Sequence, residues 1–397
     1  MASSAALVFL ARLARGPVPA VAIAAALLAV APPLGAPFST PKRVVLVGAA
    51  GVALVLWPWS RRRVPWPLVL PVISAGLSAL LGASAEPSAA WTQLAFAVLA
   101  FCWASGGVAP AWVPRSATAC GALVAAIAIS QAVGVDPFSA LSPDAAGTRL
   151  AVYATLGNPD FVASALCVVL CLALGAGWRW PVSLGVALVL GAALYVTRSF
   201  ATVAALGMGA TVAALHRRAS LDQRARLVLV AAVLGIAALA VPLTGRSLSD
   251  AAQGRRYLVA VALPHALDAP LLGLGPGATE ALWPGWELDW WKRRCGDDAT
   301  CVAGDAAFRF AGMQDHLHAD WLEVLVERGL AGLLSLALLF AVAARQAWGS
   351  RTALATATVA ALAVSATRAL ADFPLARPAD LCLLAAVVGL AFSVEDA

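Results

Sequence analysis

The residues of this chain that could carry chemistry are few, and two histidines stand out among them. His316 and His318 are two of only four histidines in the sequence, and His318 lies directly before a segment with helical periodicity. A histidine at the edge of an apolar segment, close to arginines, is a candidate general base because it titrates near neutral pH. Two residues apart, these histidines cannot share one helix face, so a two-histidine metal clamp is not expected. His318 is therefore a candidate general base, and we predict neither a metal nor a cofactor.

Arginines form the second group of candidates. Arg198 sits between two apolar runs, while Arg255 and Arg256 open an amphipathic stretch. Guanidinium groups match phosphate oxygens bidentately, so two or three arginines that face one site would suit a pyrophosphate. Each also has an ordinary interpretation: an interfacial side chain that reaches water, or a solvated helix start. Arg368 and Asp372 are a candidate second pair near the site, or else an interfacial salt bridge.

The composition places these residues in a membrane. The chain has 397 residues, of which 61% are apolar and 12% charged, about half of the roughly 25% that soluble domains carry. This excludes a disordered chain, a small disulfide-stapled secreted domain and an ordinary cytosolic enzyme. The net charge of +6 does not indicate nucleic-acid binding, since the arginines are scattered in short loops. What remains is an all-α polytopic membrane protein.

Apolar segments divide the chain into three parts. We predict about twelve transmembrane helices, nine of them in residues 1–243 and three in 324–397. Between them lies one large loop with short helices, residues 244–323. The predicted spans are 17–34, 44–59, 66–82, 91–109, 116–134, 159–176, 180–197, 199–215, 226–243, 324–344, 352–369 and 379–394.

Loop arginines predict the orientation. The loops after spans 2, 4, 6, 8 and 10 carry most of them, as in Arg61-Arg62-Arg63, so we place these loops and the N-terminus in the cytoplasm. The long loop then lies outside. Its Cys295 and Cys301 are predicted to form a disulfide in that oxidising compartment. Its Trp286 and Trp290 lie on one helix face, as either an interfacial belt or a surface that stacks on sugar rings.

Five short motifs resemble, in the same order, those of the O-antigen ligase and polymerase superfamily, over about residues 155–390. The chain departs from the family pattern at Asp160 and Ala319, which stand where the family has asparagine, and at 197–200, which lacks the usual glycines. The motifs are Gly157-Asn158-Pro159-Asp160-Phe161; Thr197-Arg198-Ser199; Arg256 with Ala262-Leu263 and Pro270-Leu271-Leu272-Gly273-Leu274-Gly275-Pro276-Gly277; His318-Ala319-Asp320-Trp321-Leu322 with Glu327-Arg328-Gly329-Leu330-Ala331-Gly332; and Asp372-Phe373-Pro374-Leu375 with Pro378-Ala379.

The resemblance implies a metal-independent, inverting glycosyltransferase of the GT-C-like class, multi-pass in the bacterial inner membrane. Its donor would be a glycan linked to undecaprenyl pyrophosphate, used at the periplasmic face. Arg198 and Arg256, with Arg255 as a neighbouring candidate, match the arginines that hold the pyrophosphate, and His318 matches the essential histidine. The spacing to Ala262-Leu263 favours Arg256 over Arg255. Further site candidates are Asn158, Asp160, Asp320, Arg368 and Asp372.

The acceptor stays open at this stage. A ligase of lipopolysaccharide biosynthesis would use a lipid A-core acceptor, a polysaccharide polymerase another lipid-linked glycan, and an O-oligosaccharyltransferase a protein. The long periplasmic loop favours the ligase. A transporter of lipid-linked oligosaccharides is less expected, because mid-span charges are scarce and no repeated halves are evident.

Overall fold

The computed structural model describes residues 4–32, 36–60, 66–82, 86–141, 149–217, 248–312 and 314–394. Within these residues the protein is all-helical and has no strand. The α-helices are α1 (Ser4–Arg15), α2 (Pro17–Leu28), α3 (Thr40–Ser60), α4 (Val69–Leu81), α5 (Pro87–Gly106), α6 (Trp112–Ala132), α7 (Pro159–Gly175), α8 (Trp180–Thr197), α9 (Phe200–Arg217), α10 (Leu248–Ala262), α11 (Ala278–Cys295), α12 (Ala299–Gly304), α13 (Asp320–Trp348), α14 (Ala353–Ala371) and α15 (Pro378–Ala391).

Seven helices among the described residues are long and apolar enough to cross a membrane, which agrees with a polytopic membrane protein. Three shorter apolar helices accompany them: Trp66–Leu81, Pro159–Gly175 and Pro378–Ala391. These ten overlap ten of the predicted spans, and α9 coincides with the span predicted at 199–215. The span predicted at 226–243 lies outside the described residues, so the number twelve stays a prediction. The seven helices are Val8–Leu28, Thr40–Pro58, Pro87–Gly106, Trp112–Ala132, Trp180–Thr197, Asp320–Trp348 and Ala353–Ala371.

The first span was predicted too far along the chain. Its apolar helical stretch begins at Val8 and ends at Leu28, not at residue 34. Ala29 is already extended (φ −63°, ψ 125°), and the proline that follows at position 32 disfavours helix before it. The buried Lys42 ammonium donates to the carbonyl oxygens of Ala29 (2.5 Å) and Thr155 (2.7 Å). Lys42 therefore joins the end of the first span to the segment just before α7.

The centre of the bundle is α15. All its residues, from Pro378 to Ala391, are buried, as expected for a helix that is apolar all round and enclosed by other helices. It packs against α2, α3, α5, α7, α13 and α14. Small residues allow these close approaches: a Cβ on Gly389 would lie 3.0 Å from Trp103, and helix packing in lipid favours such residues.

The long loop folds around its own aromatic core. Tyr257 on α10 packs with Trp283 and Trp291 of α11, and Leu317 closes the cluster. The structure joins Cys295 to Cys301 by a disulfide at the end of α11. The helix that follows the loop, α13, begins at Asp320 rather than at residue 324. The boundary between loop and bundle therefore lies directly after the His318 segment.

A glycine breaks α13 one third of the way along. Gly329 has φ 64° and ψ −167°, and the glycine-rich segment 270–277 lies against the break. Backbone hydrogen bonds run between the two segments in both directions. This pairing satisfies the polar groups that a broken helix would otherwise leave unpaired at membrane depth. The donors and acceptors are Leu330 N to Pro270 O (2.8 Å), Ala331 N to Leu271 O (3.1 Å), Leu274 N to Val326 O (2.9 Å) and Gly275 N to Glu327 O (3.0 Å).

We expect Gly329→Ala to destabilise the protein strongly. Its φ and ψ are open almost only to glycine, and such strain costs on the order of 1–3 kcal/mol. A Cβ there would also lie 2.4 Å from the Leu271 carbonyl carbon. Thermal unfolding in detergent should show a clearly lower melting temperature. Gly185→Ala is the control, since no heavy atom lies within 4 Å of its added Cβ, and it should melt as the wild type does. Equal melting temperatures for the two variants would contradict the assignment.

Candidate functional site

Asp372 is the centre of a charged cluster where several helices end or begin. Its carboxylate accepts a hydrogen bond from Arg368 Nη2 and another, of 3.2 Å, from Arg377 Nη1. His318 Nδ1 lies 3.9 Å from the other carboxylate oxygen. Burial alone would raise the pKa of Asp372, but Arg377 and Arg368 outweigh it and hold the pKa below its ordinary value. Asp372 is therefore an ionised carboxylate with a histidine on one side and two guanidinium groups on the other.

Arg368 connects this carboxylate to three other segments. It is fully buried. Its Nη1 donates to the hydroxyls of Ser199 (3.2 Å) and Thr202 (3.4 Å) at the start of α9, and its Nη2 donates to the carbonyl of Asp160 (2.9 Å) in α7. A surface salt bridge is worth little, but this pair lies inside the protein. Arg368 thus holds the helix ends together instead of facing a ligand.

Arg377 was not among the predicted site residues, although it completes the cluster. Its Nε donates to Asp380 at 2.7 Å, three residues further on. Its guanidinium lies 4.5 Å from the ring centre of Phe161 and 5.2 Å from that of Phe373. The available signal was its spacing, five residues after Asp372 and three before Asp380 at a helix start.

His318 has an unusual backbone and a half-exposed side chain. Its φ is 51°, a left-handed value uncommon outside glycine and often found at functional sites. Its side chain is 48% exposed, and its ring meets Phe373 edge to face at 4.8 Å. The protein packed around it lowers the pKa of His318; Asp372 works against this shift and Arg255 adds to it. Near neutral pH the imidazole is therefore neutral, the form that accepts a proton.

The pKa of His316 is shifted in the opposite direction, upwards. Its ring stacks on Phe373 at 4.5 Å, and its Nδ1 lies 2.9 Å from Glu323 Oε1. The other oxygen of Glu323 accepts a 3.0 Å bond from the Leu317 amide. Burial disfavours the imidazolium, but the charge and hydrogen bond of Glu323 outweigh it and raise the pKa of His316. The two histidines share one phenyl ring yet favour opposite protonation states.

Three other predicted residues position the segments around this cluster. Asp320, almost fully buried, accepts a 3.0 Å bond from the Leu375 amide and donates its own amide to the Asp372 carbonyl (3.2 Å). Asn158 caps α7 by accepting from the Asp160 amide at 2.8 Å. The Asp160 carbonyl receives Arg368, as described above. These motif residues thus fix the geometry around Asp372 and His318.

The predicted pyrophosphate arginines are placed differently from one another. Arg198 ends α8 in a left-handed conformation (φ 49°, ψ 37°) with its side chain exposed. Arg255 donates to the carbonyl of Ala371 at 2.7 Å, directly beside Asp372. Arg256 is exposed. Consecutive helical residues point about 100° apart, so only one of the pair can face α14. The structure gives that place to Arg255, whereas the sequence-based preference was for Arg256.

The predicted sugar-stacking tryptophans belong mainly to the loop's own core. Trp286 is buried, with its ring stacked on His265 at 4.7 Å. Trp290 is half-buried against Tyr257 at 5.2 Å, and Arg294 lies 5.2 Å from its ring centre. Only Trp290 leaves part of its surface exposed. The 3.6-residue spacing of these rings reflects packing of α11 against α10.

No protein-family model matches the chain, and no curated protein matches it either. Among the described residues no group of three or more His, Cys, Asp or Glu side chains could hold a metal ion. The site must therefore be judged from its own geometry. It combines a neutral histidine, an ionised aspartate behind it, and arginines around both, at one end of an apolar bundle.

We expect Glu323→Gln to lower the melting temperature more in acid than in alkali. The pKa of His316 in the folded protein lies above its value in the unfolded chain, about 6.5. The ion pair therefore contributes its full stabilisation to the folded state below about pH 6.5. The stabilisation is lost as pH rises through the raised folded pKa. Melting curves at pH 5.5 and 8.5 would test this. Asp289→Asn, an exposed change on α11, should show no such difference, and an equal loss at both pH values for Glu323→Gln would refute the ion pair.

Proposed function

We propose that this chain is an O-antigen ligase-like glycosyltransferase. It would transfer a glycan from undecaprenyl pyrophosphate to a lipid A-core-type acceptor at the periplasmic face of the bacterial inner membrane. The observation that carries the proposal is the pairing of His318 with Asp372, 3.9 Å apart, at the end of the helical bundle. The motif resemblance adds the donor class, because His318 and Arg198 stand at matching positions and Arg255 is next to the matching Arg256.

His318 acts as the base in this mechanism. Its Nδ1 faces Asp372, which leaves Nε2 to take the proton of the acceptor hydroxyl. The hydroxyl oxygen attacks the anomeric carbon from the side opposite the pyrophosphate, the bond from that carbon to the pyrophosphate oxygen breaks, and the configuration inverts. Undecaprenyl pyrophosphate leaves with the bonding electrons. Asp372 stabilises the imidazolium as it forms, so proton transfer and bond cleavage proceed together.

The arginines divide into two roles. Arg368 and Arg377 are buried on Asp372, and Arg377 also pairs with Asp380, so the negative charge of the Asp372 carboxylate is offset within the cluster. Asp372 can thus orient His318 without repelling an anionic donor. Arg198 and Arg255 keep exposed surface and are the groups we assign to the pyrophosphate, whose developing charge a guanidinium stabilises in a low-dielectric setting.

His318→Ala should abolish transfer. Removal of a general base typically costs about 10²–10⁴-fold in rate. The assay uses purified protein in detergent with a lipid-linked glycan donor, and compares lipid A-core with a second lipid-linked glycan as acceptors. His265→Gln, in the loop and paired with Asp268, is the matched control and should stay active. Transfer by His318→Ala at close to the wild-type rate would contradict the catalytic assignment. Product formed on the glycan acceptor alone would indicate a polymerase.

Arg255→Gln should move the acid side of the pH–rate profile to higher pH. Protonated His318 is inactive as a base, so the rate falls as pH drops through its pKa. Arg255 helps to depress that pKa, and its loss therefore raises it. The rate at optimal pH should also drop by roughly 10-fold or more, since a hydrogen bond to a charged group is worth about 1.5–3 kcal/mol. Arg256→Gln is the neighbouring control. An unmoved acid limb in Arg255→Gln, or the same shift in Arg256→Gln, would contradict this placement.

A further inference from the structure

A second basic pocket lies at the end of the bundle opposite His318. At the start of α5, the Glu86 amide donates to the Pro276 carbonyl of the glycine-rich segment, on the His318 side. The helix ends at Gly106, about 30 Å away at 1.5 Å per residue. That length matches the hydrocarbon thickness of a bilayer. Gly106 is followed directly by residues that line the pocket, which therefore lies at the opposite membrane surface.

The pocket is large and already formed. It encloses about 870 Å³ between α1, the turn from α5 to α6, and the residues after α15. The turn is held in place from two sides, because the Ala109 amide donates to the Arg15 carbonyl (2.6 Å) and the Val108 amide to the Ser393 hydroxyl (2.9 Å). Trp112 packs against Gly16 at the junction of α1 and α2. The walls of the pocket thus belong to fixed elements of the fold.

The lining combines positive charge with exposed apolar surface. Arg12 and Arg15 both line the pocket, three residues apart on one side of α1. None of the described residues that line it is acidic. Phe9 and Trp112 also line it, and they are 61% and 56% exposed. In a membrane, such aromatic side chains lie at the level of lipid headgroups and upper acyl chains.

We propose that this pocket binds the phosphate headgroup of an anionic phospholipid in the leaflet opposite His318. The phosphate lies against the guanidinium of Arg12 at the mouth, and Arg15 lines the inner wall. The glycerol and upper acyl chains contact Phe9 and Trp112. Basic pockets between membrane helices select anionic lipids in this way. Zwitterionic lipids bind the pocket less tightly, because their own positive group is repelled by the arginines and offsets the attraction of the phosphate.

The test is a native mass spectrometry titration of the purified full chain with phosphatidylglycerol and, separately, phosphatidylcholine. Wild type should bind phosphatidylglycerol several-fold more tightly. Arg12→Gln should weaken that binding about fivefold, the usual effect of one basic residue near anionic lipid, while Arg12→Lys keeps most of it. Arg345→Gln is the matched control, an exposed arginine in the last turn of α13 at the same membrane surface, and should bind as wild type does.

Three results would overturn the assignment. One is equal binding of the two lipids by the wild type. Another is a failure of Arg12→Gln and Arg345→Gln to differ in their affinity for phosphatidylglycerol. The third is displacement of bound phosphatidylglycerol by millimolar inorganic phosphate, which would assign the pocket to a soluble anion because the apolar wall would then contribute nothing. A melting curve for each variant establishes that it is folded, and none of these readouts depends on glycosyl transfer.

Discussion

The buried carboxylate of Asp372 is the constraint on which the His318 end of the helical bundle depends. An unpaired charge at such a position would be strongly destabilising, and the structure supplies two guanidinium groups for it. Arg368 brings the starts of α7 and α9 to the carboxylate, and Arg377 brings the start of α15. Removal of Arg368 would leave Asp372 only Arg377, which it shares with Asp380, and removal of Asp372 would take away the carboxylate that Arg368 contacts. Helix ends far apart in sequence are thereby held in one arrangement around His318.

The loop is fixed to the bundle by backbone rather than by charge. The glycine-rich segment 270–277 pairs with the break at Gly329, and neither partner tolerates a side chain there: a Cβ on Gly273 would lie 2.2 Å from the Glu327 carbonyl carbon. Because α13 begins at Asp320, just after His318, this junction fixes the helix that follows the histidine. The same junction positions α10, whose Arg255 reaches the end of α14. Backbone pairing and the Asp372 cluster thus act on His318 from two sides.

Sequence patterns predicted the apolar helices well and their ends less well. Long apolar runs have few alternatives to helix in a membrane, but the end of α2 depends on Lys42, whose partners are distant in sequence. Residue type and order singled out His318, Asp372 and the arginines as candidates, whereas the difference in placement between Arg255 and Arg256 depends on the rotation of α10. For Trp286 the spacing alone left two interpretations open, because a helix face that packs on a core and one that stacks on sugar have the same spacing. In the sequence, the only sign of the helix break at Gly329 is the glycine itself.

The two histidines belong to one ionisable cluster, yet their surroundings favour opposite protonation states. His316, paired with Glu323, favours the charged form, whereas His318 favours the neutral form although Asp372 is close to it. Titratable groups whose environments separate their pKa values are typical of acid–base sites. Phe373 contacts both rings, stacked on His316 and edge to face with His318. The charge on His316 therefore stabilises the segment 316–318 through Glu323, while the neutral His318, held at a left-handed φ, keeps the lone pair that a base requires.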